Sequence, residues 1–93
     1  MYRIKFEKRF KKSLEKLRKN GLSEKQRDTL YSVIYTLAEG KSLGAEYRDH
    51  KLKGELKDYR ECHIQGDLLL VYQIIKDELV LVLIDLGTHS DLF

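Results

Sequence analysis

The 93-residue sequence has no proline, no tryptophan, one methionine and one cysteine, Cys62. A single cysteine excludes an intrachain disulfide and a zinc cluster built on cysteines, and it fits a reducing compartment. The longest apolar run, Leu68 to Ile75, is interrupted by Gln73. It falls far short of the roughly 20 residues that span a bilayer. The opening stretch, MYRIKFEKRFKKS, carries charges where a secretory signal has an apolar segment. Low-complexity segments and internal repeats are also missing. These absences lead us to expect a cytosolic protein with no membrane partner.

With 42% hydrophobic and 35% charged residues the chain reads as soluble and globular. Its length suits one domain over residues 1–93, with a modest core. The net charge of +3 is unevenly spread. Residues 1–20 hold Arg3, Lys5, Lys8, Arg9, Lys11, Lys12, Lys16, Arg18 and Lys19 against Glu7 and Glu15. Residues 61–93 hold only Lys76 against Glu61, Asp67, Asp77, Glu78, Asp85 and Asp91. A basic first helix can follow a phosphate backbone or face an acidic protein, and the plain alternative is a solvated helix face.

Tyr2, Ile4 and Phe6 alternate as a short strand. Phe10, Leu14 and Leu17 then recur with helical spacing over about 7–19, and Asn20-Gly21 stops that helix. Ser23 and Gln26 fit a capping box that opens a second helix, with Leu30, Val33, Ile34, Leu37 and Ala38 as its apolar stripe. Residues 41–58 read as loop with at most one short extended piece. Tyr59 to Gln65 alternates, with Glu61 and His63 on one face and Arg60, Cys62 and Ile64 on the other. Gly66-Asp67 signals a tight turn before the strand 68–75. Lys76 to Glu78 turns again before a last strand over 79–86, and residues 87–93 form a tail. The expected fold is α+β: a strand, a helical hairpin, then an antiparallel meander whose uncovered face is free for a ligand.

All three histidines, His50, His63 and His89, fall in the C-terminal half. Histidine gives and takes protons near neutrality. Cleavage of RNA by its own 2′-hydroxyl needs a base, an acid for the 5′-oxygen and a cation for the phosphorane. Histidines, an aspartate such as Asp67 and Lys or Arg suffice for that without a metal or cofactor. The histidine spacings match no standard zinc motif. On residue type alone, though, Asp67 is equally a turn former, Tyr72 a core residue and Cys62 a small buried hydrophobe.

Four motif pieces narrow the choice. Asp49-His50-Lys51-Leu52-Lys53-Gly54, Tyr59-Arg60-Glu61-Cys62-His63, Asp67, and Gly87-Thr88-His89-Ser90-Asp91-Leu92-Phe93 follow one another in a pattern that resembles the YafQ branch of the RelE/ParE toxin superfamily. Residues 47–93 carry the specific likeness, and residues 1–46 match in layout. The resemblance implies a RelE-like fold and an mRNA interferase that works in the ribosomal A site. Its cognate antitoxin would be a tight partner, and operator DNA would be met only through the antitoxin complex. It implies a catalytic set of His50, His63, Asp67 and His89, with His89 as the acid. Lys51, Lys53, Arg60 and Phe93 would contact RNA or phosphate.

Two positions depart from the family pattern. Leu68 stands where some relatives have tryptophan. Asp85 stands two residues before Gly87, where the family commonly has arginine. A charged carboxylate about 4 Å from the phosphorane would oppose it by on the order of 4 kcal/mol at an effective dielectric near 20. Alternation along the strand groups Asp85 with Leu81 and Leu83. This departure motivates a second reading, a toxin-fold module that binds antitoxin or ribosome without cutting; a third, a ParE-like gyrase inhibitor, is opposed by the histidine set, since that action needs no proton transfer.

Overall fold

A computed structural model describes all of residues 1–93. Strand β1 covers Arg3–Phe6, helix α1 Lys8–Lys19 and helix α2 Glu24–Ala38. Strands β2 (His50–Lys51), β3 (Arg60–Gln65), β4 (Leu68–Ile75) and β5 (Val80–Gly87) follow, and helix α3 (His89–Leu92) ends the chain. The sheet runs β1-β5-β4-β3-β2. β1 lies parallel to β5, and the other pairs are antiparallel.

Local chemistry explains the breaks. Gly21, at φ +101°, lets the chain leave α1 in a backbone region closed to most side chains. The Ser23 hydroxyl accepts from the Gln26 N–H at 3.0 Å, and the Gln26 side chain accepts from the Ser23 N–H at 3.2 Å. The capping box read from the sequence therefore starts α2. The tail is not irregular, as expected, but closes in α3, because Thr88 and Asp91 form a second capping box.

Phe10 of α1 and Leu30, Val33, Leu37 and Ala38 of α2 pack on Cys62, Ile64, Leu70, Tyr72, Leu81, Leu83 and Leu86. Those strand residues alternate, so they form one sheet face. Glu61, His63, Leu69 and Val71 take the intervening positions and belong to the other face. Beyond Phe6, which pairs with Leu83, β1 no longer borders β5. The chain turns there into α1, beginning with a hydrogen bond from the Glu7 N–H to the Leu83 carbonyl.

A bulge in β5 changes the expected facing of Asp85. Leu83 pairs with Tyr72, but Asp85 pairs with Val71. The extra residue, Ile84, shifts the alternation by one, so Asp85 joins the row of Val71 and Glu61 and leaves that of Leu81 and Leu83. Sequence alternation alone had grouped it with the leucines.

Candidate active site

The face away from the core carries a row that crosses four strands: His50 beside Glu61, Glu61 beside Val71, and Val71 beside Asp85. The neighbouring row holds His63, Leu69 and Gly87. His63 thus sits on the same face as Glu61, one step towards the β3–β4 turn. Gly87 is two strand spacings, about 10 Å, from His63, and the chain reaches His89 two residues later.

His50 is held from both sides. Its Nδ1 lies 2.7 Å from the Arg48 carbonyl oxygen, and its Nε2 lies 3.6 Å from a Glu61 carboxylate oxygen. A carbonyl only accepts, so Nδ1 carries a proton and Nε2 is the nitrogen turned to Glu61. The Glu61 side chain is 7% exposed, against 50% for His50. Sequence alone does not single out Glu61 as a site residue. Its place in the alternation with His63 was visible, but its neighbour His50 is brought in by a two-residue strand that composition does not announce.

Of the other expected residues, Asp67 occupies the exposed turn after Gly66, at the end of the hairpin. His89 opens α3 and is exposed; its ring centroid is 5.3 Å from that of the terminal Phe93. Phe93 borders a small apolar groove with Leu56, Tyr59, Val71 and Ile84. Lys53 is exposed just before the turn 54–56, and Lys51, also exposed, pairs with Arg60 and so lies a row away from His50. The structure thus gathers His50 and His63 with Glu61 on one face, sets His89 and Phe93 at its β5 end, and leaves Asp67 at the hairpin tip.

Arg60 falls in the other row, beside Tyr72 of the core. Its guanidinium donates to both carboxylate oxygens of Asp49 at 3.3 and 3.4 Å, and the Tyr72 hydroxyl donates to Asp49 at 2.6 Å. Burial favours loss of the Arg60 proton, but the bonds to Asp49 and Tyr72 outweigh it and hold its pKa above the usual value. Burial, then the Asp49 carboxylate, pushes the Tyr72 phenol well up. Expected as a phosphate contact, Arg60 instead finds its anion in Asp49, a partner no local motif reveals.

Asp85 is also engaged. The Ser13 hydroxyl and the Leu86 N–H donate to one of its oxygens at 2.7 and 2.8 Å, and Arg9 Nε pairs with the other at 2.7 Å. The expected bare carboxylate is therefore a neutralised one. At α3, backbone and side-chain bonds from Thr88 hold the Asp91 carboxyl below its usual value. The arrangement brings a half-exposed imidazole to 3.6 Å from a buried carboxylate, with a second imidazole in the neighbouring row. Nowhere in it do three or more His, Cys, Asp or Glu side chains converge as an ion would need.

This combination, a five-stranded mixed sheet with helices on one face and histidines with a carboxylate on the other, is the fold of the RelE-like toxins. A toxin from Helicobacter pylori, solved in a metal-bound form, superposes with a TM-score of 0.87 at 52% identity, covering 100% of both chains. YafQ in the Escherichia coli DinJ-YafQ complex superposes with a TM-score of 0.85 at 28% identity, covering 100% of this chain and 99% of that one. The mRNA interferase toxin YafQ of Escherichia coli K12 is 39% identical over 51 residues, which span 55% of this chain and 53% of that protein. The sequence model of the family described as "Bacterial toxin of type II toxin-antitoxin system, YafQ" matches residues 2–93. The chain belongs to that family.

Proposed function

We propose that residues 1–93 act as a single toxin domain that cuts mRNA on the ribosome, using the 2′-hydroxyl of the RNA as nucleophile and side chains alone as acid and base. The observation that carries the reading is the pairing of half-exposed His50 with the buried carboxylate of Glu61 beside His63, on a face that ends in exposed His89 and Phe93. The interferase name of the Escherichia coli relative supports it.

In this reading the 2′-oxygen attacks phosphorus as its proton passes to the group of His50, Glu61 and His63, while Asp67 serves from the hairpin tip. The bond from phosphorus to the 5′-oxygen breaks, and His89 gives that oxygen a proton. The products are a 2′,3′-cyclic phosphate and a free 5′-hydroxyl. Phe93 offers an aromatic face to a base, and Lys51 and Lys53 supply positive charge on the approach. The basic face of α1 follows ribosomal RNA phosphates. The DinJ-YafQ complex supports a cognate antitoxin as the protein partner. Operator DNA, in this reading, is met only through the antitoxin.

The test is a translation reaction with one defined mRNA and purified ribosomes, mapped by primer extension. New 5′ ends that need ribosomes uphold the reading. Intact mRNA with translation halted replaces it with a ribosome-blocking binder.

A further inference from the structure

We propose that Arg9, carried in from α1 and steadied by Asp85, is the cation that binds the scissile phosphate; this rests on the endoribonuclease reading above. Attack by the 2′-oxygen gathers negative charge on the non-bridging phosphate oxygens, and a donor aimed there lowers the barrier. Arg60 is already committed to Asp49 on the other row. Arg9 is differently placed. Its Nε pairs with Asp85, whose side chain is 8% exposed, whereas the Arg9 side chain is 70% exposed. The guanidinium is thus anchored at one corner, and its terminal nitrogens are open to solvent.

The anchor is itself fixed. Ser13 and the Leu86 N–H bind the second oxygen of Asp85, so the carboxylate has little freedom to turn. An exposed arginine normally loses side-chain freedom when it binds, and a preset partner reduces that loss. Arg9 also borders the groove formed by Tyr59, Ile84 and Phe93. One groove therefore offers aromatic faces for a base and guanidinium N–H groups for its phosphate. Asp85 lies at the β5 end of the row whose β2 end is His50, with uncharged Val71 between Asp85 and Glu61. A phosphate lying over that row meets Arg9 from one side and the His50–Glu61 pair from the other. Because Asp85 offsets the charge of Arg9, the effect comes from directed hydrogen bonds more than from net charge.

The experiment compares the parent with Arg9→Ala, Arg9→Lys, the double variant Arg9→Ala/Asp85→Arg, and Arg27→Ala on α2 as a charge control. Single-turnover cleavage is measured on programmed ribosomes. Binding is measured on the same ribosomes with a 2′-deoxy residue at the cut position, and folding by thermal melting. Arg9→Ala should slow cleavage on the order of 100-fold while binding weakens far less, and Arg9→Lys should recover part of the rate. The double variant, with a guanidinium restored from β5, should recover more, and Arg27→Ala should match the parent. If the double variant does not fold, the lysine variant decides. A parent that cleaves, with Arg9→Ala within about two-fold of it, overturns the proposal and leaves the endoribonuclease reading standing. A parent that never cleaves overturns that reading. The binding assay then judges Arg9 alone: a loss of about ten-fold on Arg9→Ala keeps it as a phosphate contact, and unchanged binding removes it.

Discussion

Glu61 holds a carboxylate oxygen 3.6 Å from His50 Nε2, and the pair spans the β2–β3 edge of the sheet in direct register. The Glu61 side chain is nearly inaccessible to solvent there. With Nδ1 bonded to the Arg48 carbonyl, His50 compensates that carboxylate when Nε2 also carries a proton. A buried carboxylate without such a partner would be costly. The relationship makes Glu61 as much a part of the candidate site as the three histidines.

Glu61→Gln tests this directly. Glutamine keeps the shape but cannot take a proton, so cleavage on programmed ribosomes should fall about 100-fold or more, in the range of lost acid–base groups. The melting temperature should stay close to that of the parent, because an amide can still face His50. Full activity in Glu61→Gln would confine Glu61 to a structural role.

Tyr72→Phe removes the phenol that donates to Asp49 at 2.6 Å and leaves that partly buried carboxylate with Arg60 as its remaining donor. The expected loss is about 1–3 kcal/mol in urea unfolding. Asp49→Ala should cost more than Tyr72→Phe, since it strands both the phenol and the Arg60 guanidinium. Equal stabilities for parent and Tyr72→Phe would mean that the bond is replaced by water.

Much of this was legible in the chain. The stripe Leu30, Val33, Ile34, Leu37, the Ser23–Gln26 box and the alternation around Glu61 and His63 are local signals, and each appears as an element. The catalytic candidates His50, His63 and His89 stand in motif strings; the rows of His50 and His63 follow from strand register, and His89 follows β5 in α3. What escaped depends on tertiary pairing. Nothing near Arg9 points to Asp85, and the bulge at Ile84 that turns Asp85 towards the Val71 row leaves no mark in a strand where Asp85 is the one charged residue. The parallel pairing of β1 with the last strand is equally non-local. The α3 cap was readable, because Thr88 followed three residues later by Asp91 is a helix-start signature.

That cap supports a third prediction. Thr88 and Asp91 exchange hydrogen bonds that start the short helix carrying His89, with Phe93 just past its end. Thr88→Ala should leave the core intact, with an unchanged urea midpoint, yet lower cleavage by about ten-fold through a less fixed His89. His89→Ala should abolish cleavage while antitoxin binding and folding persist. If Thr88→Ala cleaves like the parent, the position of His89 does not depend on the cap. If His89→Ala cleaves normally, the acid lies elsewhere.

Cys62 offers a test by pH. Burial, followed by the nearby Asp49 and Glu61 carboxylates, pushes its thiol from an ordinary value of 9.0 up to about 12. Below pH 9 both folded and unfolded chains keep the proton, so the stabilisation from a neutral buried thiol is fully present. Between about 9 and about 12 the unfolded chain releases the proton and the folded chain retains it, so stability falls as pH rises. The slope for one such group approaches about 1.4 kcal/mol per pH unit and flattens once the folded thiol also ionises. Tyr72, raised above its ordinary value of 10.0, adds a loss of the same sign at higher pH. Cys62→Ala should be less stable than the parent at neutral pH, because it opens a cavity in the core. It should nevertheless lose less stability on going from pH 8.5 to about 10, since the titrating thiol is gone. Urea unfolding across that range, run on parent and variant together, separates the two effects. Converging stabilities support the buried neutral thiol, and parallel curves refute it.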